Sequence, residues 1–116
     1  MPFRDRINAL VGGGLADLSQ ETFDPFLRDH PLVFVDFWAS WCRPCRAMAP
    51  VIRSLARTYG EVAFAKVDTE REEGLRDRFG VRSIPTYILF KRRRIVERFP
   101  GATSRDRLAA KIEKWR

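Results

Sequence analysis

An α/β fold, with a mixed sheet covered by helices on both faces, is what this sequence predicts, and three observations predict it. Short apolar runs alternate with segments of helical period along the chain. Leu32–Trp38 is apolar on both faces but for Asp36, as a strand buried at the centre of a sheet must be. The last two runs, Thr86–Lys91 and Arg94–Phe99, are separated only by Arg92-Arg93, the spacing of a tight hairpin. Strands alternating with helices and closed by a hairpin give a sheet with parallel and antiparallel pairs. At 116 residues the chain has room for one domain and one core.

The elements follow in order. Residues 1–14 read as a flexible tail ending in Gly12-Gly13-Gly14. Leu15-Ala16-Asp17-Leu18 is a short strand, and Ser19 an N-cap for a helix reaching about Asp29. Pro25 fits badly inside that helix, which either kinks or restarts with Asp24 as cap and Pro25 behind it. After the central strand, Ser40-Trp41-Cys42-Arg43-Pro44-Cys45 opens a helix to about Tyr59. Met48, Val51, Ile52, Leu55 and Tyr59 keep its 3.6-residue period, Pro50 should kink it and Gly60 end it. Val62–Asp68 is a strand, and Glu72–Phe79 a short helix ended by Gly80. Behind the hairpin, Gly101 breaks the second strand and Ser104 caps a last helix, Arg105–Trp115.

Composition excludes several classes. Hydrophobic residues make up 45% and charged residues 32%, with nine Phe, three Trp and two Tyr, which suits a packed core rather than disorder. No apolar run approaches the roughly 20 residues of a membrane span. The segment Met1–Ala16 resembles a signal peptide only faintly, since Asp5, Asn8 and the Gly triplet interrupt it and no A-x-A pattern follows. A cytoplasmic location is expected. The net charge of +7 raises nucleic acid as a partner, yet no binding signature accompanies the run Lys91-Arg92-Arg93-Arg94, so a solvated basic surface is expected instead.

The chemistry lies at the cysteines. Two are too few for a disulfide-stapled scaffold, and a bridge across so short a loop would stabilise little. Three apart at a helix start, Cys42 and Cys45 have Cα atoms about 5–6 Å apart, within disulfide range, so the pair can pass between dithiol and disulfide. Cys42, at the exposed helix N-terminus beside Trp41, meets free N–H groups and the positive end of the macrodipole, which favour its thiolate as nucleophile. Cys45, a turn further in and beside Met48 and Ile52, is the buried resolving thiol. Pro44 stiffens that first turn and has no N–H to leave unpaired. A zinc site would need four ligands, and two Cys with a distant His30 do not supply them.

Asp36, on the strand face of Phe34 and Trp38, precedes Cys42 by six residues, and Lys66 interrupts the apolar strand Ala63–Val67. A carboxylate buried there holds its proton to near neutrality and can relay it. An edge position, or a plain Asp36–Lys66 ion pair, is the structural alternative. Pro85 can begin the strand Thr86–Lys91, and since only about one X–Pro bond in twenty is cis, physics alone favours trans.

The motifs Val35-Asp36-Phe37-Trp38-Ala39, Trp41-Cys42-x-Pro44-Cys45, Ala49-Pro50, Lys66-Val67-Asp68, Ile84-Pro85-Thr86 and Gly101-Ala102 stand in order along residues 15–116, and over that span the chain resembles the thioredoxin family. The resemblance implies a thioredoxin domain at 15–116, a central five-stranded mixed sheet flanked by four helices, and a cis Ile84–Pro85 bond packed against the disulfide. It implies that Asp36, through a water and coupled to Lys66, deprotonates Cys45, and that substrate peptides lie across Trp41, the Ile84 backbone, Pro85 and Gly101. Three features depart from the family: Arg43 where Gly is usual, Arg92-Arg93 in a turn that usually carries Asn-Gly, and the arginines Arg43, Arg46, Arg53 and Arg57 along the long helix.

The function expected is that of a monomeric disulfide reductase. Cys42 attacks a protein disulfide, Cys45 resolves the mixed disulfide, and a separate thioredoxin reductase-like donor restores the electrons, with no bound cofactor, metal, specific nucleic acid or membrane partner. A more oxidising oxidase or isomerase, towards which Arg43 pushes, and a non-catalytic binding subunit of the same fold are the alternatives.

Overall fold

The structure, a computed structural model, describes residues 14–116. The tail expected at 1–14 therefore lies outside the described residues except for Gly14. Nine elements follow one another: β1 (Ala16–Asp17), α1 (Phe23–Asp29), β2 (Leu32–Trp38), α2 (Arg43–Thr58), β3 (Ala63–Asp68), α3 (Glu73–Arg78), β4 (Thr86–Lys91), β5 (Arg94–Pro100) and α4 (Arg105–Trp115). The strands form one mixed sheet in the order β1-β3-β2-β4-β5. β1, β3 and β2 run parallel, while β4 lies antiparallel to β2 and β5 antiparallel to β4. This is the five-stranded sheet with four helices that the motifs implied.

β2 lies at the centre, hydrogen-bonded on both edges, and its alternation divides the core in two. Val33, Val35 and Phe37 point towards α1 and α3, where Phe23, Phe26, Leu27 and Leu75 close one apolar layer. Leu32 and Phe34 point the other way, onto Met48, Ile52 and Leu55 of α2 and Leu108 and Ile112 of α4. Asp36 shares that second face, since side chains two apart on a strand lie on one side. A carboxylate is thereby placed beneath the N-terminal half of α2.

The local signals were accurate where a cap or a two-sided apolar run set the boundary. β2, β4 and α4 have the bounds expected, and Ser104 Oγ accepts the Arg107 N–H at 3.2 Å. α1 departs from both readings of its start. Ser19 caps only a preceding turn, with its carbonyl accepting from Thr22 and Phe23, and the helix begins at Phe23 behind Thr22. Pro25 then falls in the first turn, where no intrahelical N–H is needed, so no kink is required.

Two further departures concern helix and turn ends. α2 stops at Thr58, with the Tyr59 N–H bonded to the Leu55 carbonyl, and Gly60 is not in the left-handed region that a glycine cap requires. Gly80, by contrast, has φ +62° at the end of α3, as expected of it. The hairpin turn takes positive φ at both Arg92 (+50°) and Arg93 (+70°). Lys91 pairs with Arg94, so only two residues close the turn, and the strand twist then demands left-handed backbone whatever residues stand there. The Arg92 N–H is further held by the Pro31 carbonyl at 2.8 Å.

Candidate active site

The site is assembled at the C-terminal end of β2. Its chain passes through Ala39, Ser40 and Trp41 to Cys42, whose N–H bonds the Ala39 carbonyl at 3.1 Å. Cys42 is the N-cap of α2 with extended backbone, and its Sγ accepts the Cys45 N–H at 3.2 Å. A serine or aspartate oxygen normally fills that role, so the sulfur stands where the helix stabilises negative charge. Arg43 and Pro44 complete the first turn, both exposed, and bring Cys45 under Cys42. The two cysteines are joined as a disulfide with Cα atoms 5.3 Å apart.

Burial corrects one expectation. Cys45 is 5% exposed, but Cys42 is also covered, at 3%, although Trp41 beside it is 64% exposed. The cover comes from Ala39, Trp38 and Ile84, which pack against the pair. The Cys42 sulfur lies 3.8 Å from the Ile84 carbonyl oxygen, a contact that only the reduced thiol could turn into a hydrogen bond. The Ile84–Pro85 bond is cis, and the Pro85 carbonyl accepts the Gly101 N–H at 2.7 Å. Gly101 has φ +87°, open to glycine and costly for other residues. Ile84 thus packs against the disulfide, Trp41 precedes Cys42 in the chain, and Gly101 is tied to the Ile84–Pro85 segment through the Pro85 carbonyl.

Beneath the disulfide a cavity of about 190 Å³ is lined by Asp36, Cys45, Lys66, Trp38, Ile52 and Arg53, among others. It has room for water between Asp36 and Cys45. Asp36 is 8% exposed, and one of its carboxylate oxygens has no hydrogen-bond partner. Loss of hydration pushes its pKa up to about 7, against the opposing pull of Lys66. Lys66 is the β3 register partner of Asp36, yet among the described residues no contact ion pair joins them. The Lys66 ammonium sits over the Trp38 ring, 5.0 Å from its centroid. Neither structural alternative for Asp36, an edge position or a simple ion pair, describes what is found.

Two neighbours escaped the sequence reading. Tyr87 faces Asp36 across the β2–β4 pair, with its hydroxyl buried and unpartnered, and burial together with the Asp36 charge raises its pKa. Trp38 lends its ring to Lys66 and leaves its own indole N–H unpartnered. Antiparallel register, which brings Tyr87 opposite Asp36, has no local signature in a sequence. Among the described residues no cluster of His, Cys, Asp and Glu could hold a metal ion.

A helix-capped disulfide beside a buried carboxylate, on a mixed five-stranded sheet, defines a thiol–disulfide protein. The Thioredoxin family model matches residues 14–114. Thioredoxin 1 of Nostoc sp. is 38% identical over 101 residues, covering 85% of this chain and 94% of that protein. A putative thioredoxin 2 of Streptomyces coelicolor is 40% identical over 86 residues, covering 74% of this chain but only 64% of that longer protein. Thioredoxin F from spinach chloroplast superposes with a TM-score of 0.85 at 31% identity, covering 95% of this chain and 92% of that one. A variant thioredoxin of Halobacterium salinarum gives 0.84 at 32%, covering 90% and 93%. The chain belongs to the thioredoxin family.

Proposed function

We propose that the chain is a protein-disulfide reductase. The Cys42 thiolate attacks one sulfur of a substrate disulfide, forming a mixed disulfide and releasing the other substrate sulfur as a thiolate, which takes up a proton. Asp36, through water in the cavity they share, accepts the Cys45 proton. The Cys45 thiolate then attacks the Cys42 sulfur, closing the Cys42–Cys45 disulfide and expelling the second substrate sulfur as a thiolate, which takes up the proton that Asp36 received and relays back through water. Two electrons and two protons pass to the substrate in all. A separate thioredoxin reductase-like donor returns the electrons, so the reaction calls for no resident cofactor.

The observation that carries this proposal is the N-cap position of Cys42. Its sulfur alone accepts a helix N–H, while Cys45 lies on the cavity floor beside Asp36. That asymmetry supplies a stabilised nucleophile and a separate thiol that must lose its proton before it can act. Trp41, Ile84, Pro85 and Gly101 are the surface on which the substrate strand would rest. Among the described residues no helix is long and apolar enough to cross a membrane. The cytoplasm, where thiols are kept reduced, suits a reductase acting as a monomer.

Turnover of insulin disulfides at the expense of dithiothreitol tests the proposal. A reductase accelerates insulin precipitation and loses the effect as Cys42→Ser. No acceleration by the unaltered protein would favour the binding-subunit alternative, and a reduction potential near those of oxidases would favour the oxidase or isomerase.

A further inference from the structure

Helix α2 carries Arg43, Arg46, Arg53 and Arg57, all exposed, and no carboxylate. At 3.6 residues per turn the four fall within a sector of about 80° and span about 21 Å along the axis, a stripe leading away from the disulfide. Arg46 and Arg53 also line the cavity that holds Asp36 and Cys45. Arg105 reaches across from α4 to Ser54 and Thr58, which sets a fifth guanidinium beside the far end.

This arrangement works against the helix that bears it. Cations in the first turn oppose the macrodipole, and Arg43 with Arg46, like Arg53 with Arg57, are like-charged neighbours at helical spacing. Some surface cations are matched, Arg78 by Asp24, Lys111 and Lys114 by Glu97, Arg116 by Glu61 and Glu113. Scattered ones such as Arg71, Arg82 and Arg94 make no ion pair among the described residues; α2 differs in aligning its unpaired cations on one face. None of the four α2 arginines has an ion-pair partner among the described residues, and Arg46 donates only to the Ser40 carbonyl.

We infer that this stripe is the docking surface for disulfide-bearing proteins whose disulfide is flanked on one side by acidic residues. The inference rests on the disulfide-reductase proposal and adds the substrate class. Charge placed there acts on the reaction only when the partner's disulfide reaches Trp41 and Cys42, which singles out a protein over a nucleic acid. Facing carboxylates relieve the repulsion along α2, speed encounter and orient the disulfide over the Cys42 sulfur.

Two peptides with the same intramolecular disulfide, one flanked by glutamates and one by lysines, test this against the reduced protein at about 20 and about 500 mM salt. The acidic peptide should react at least about tenfold faster at low salt, and the difference should shrink severalfold at high salt. R53E/R57E should reverse the preference, and R53K/R57K should keep it. R92E/R93E, which changes net charge equally at the far end of the sheet, should keep it too. Equal rates for the two peptides would overturn the inference and leave the reductase proposal standing, whereas failure to reduce either peptide would overturn both. A preference abolished equally by R92E/R93E would assign it to net charge and also overturn the inference. Equal peptide rates with oligonucleotide binding lost in R53E/R57E would overturn it in favour of nucleic acid.

Discussion

Replacing Asp36 with Asn keeps the side chain's shape and removes its charge from beneath α2. Among the described residues Asp36 is the only buried charged side chain. Its pKa rises from 3.8 to about 7 in the folded protein because burial strips the carboxylate of water. The folded state therefore holds a proton that the unfolded chain gives up. Below pH 3.8 both states are neutral at this position and the group costs nothing. As pH rises from about 4 to 7 the unfolded chain ionises first and stability falls; above 7 the folded protein must carry the buried charge and the loss is complete. A difference of about 3 units at 1.36 kcal/mol each gives about 4 kcal/mol. Asp36→Asn should match the parent near pH 3, exceed it by about 1 kcal/mol at pH 4.5 and by up to about 4 kcal/mol at pH 8. Urea unfolding of both oxidised proteins at several pH values measures this, and the difference between them cancels every other titrating group. A difference independent of pH, or larger at low pH, would refute the reasoning.

Further outcomes follow from neighbouring features. Asp36→Ala should slow resolution of the mixed disulfide more than the initial attack and flatten the rate between pH 6 and 8, as stopped-flow kinetics on each step would show. Arg43→Gly should make the protein less oxidising by about 20 mV or less, because an exposed guanidinium worth about 1 kcal/mol or less to the Cys42 thiolate is lost. Glutathione equilibria read that shift, and an equal or higher potential for the variant would contradict it. Arg93→Gly should stabilise the fold by about 1 kcal/mol, since φ +70° suits glycine and not arginine; a destabilised variant in denaturant titration would contradict it.

The sequence displayed its architecture most clearly where a pattern admits one solution. A seven-residue run apolar on both faces but for Asp36, and too short for a typical helix, fits a central strand, and Ser104 three residues before Arg107 can cap a helix without distant help. The start of α1 was ambiguous because Ser19, Thr22 and Asp24 are all capable caps, and packing of Phe23 and Phe26 decided among them. Glycine signals divided similarly. Gly80 caps through its own backbone freedom, whereas α2 ends at Thr58 with the buried Tyr59 as its cap residue. Arg92-Arg93 shows the converse, a turn geometry imposed by strand register on residues that disfavour it.

At the site, Cys42, Cys45 and Asp36 were legible because each violates its surroundings: a thiol pair at a cap, a carboxylate in an apolar strand. The Tyr87–Asp36 pairing was not, because it comes from a segment 51 residues away, and the Ile84 cover over Cys42, 42 residues away, came only through the family's motifs. The cis Ile84–Pro85 bond opposes the local preference and came only from the family's motifs.

The most direct test of the central claim, that Cys42 attacks and Cys45 resolves, is the capture of mixed disulfides by single-serine variants. Cys45→Ser, exposed to a disulfide-bonded protein, should accumulate a covalent complex that dithiothreitol releases, seen as a shifted band on a non-reducing gel. Cys42→Ser should form little or none, because its remaining thiol lies under the helix end beside Asp36. Equal capture by both variants, or capture by Cys42→Ser alone, would contradict the assignment.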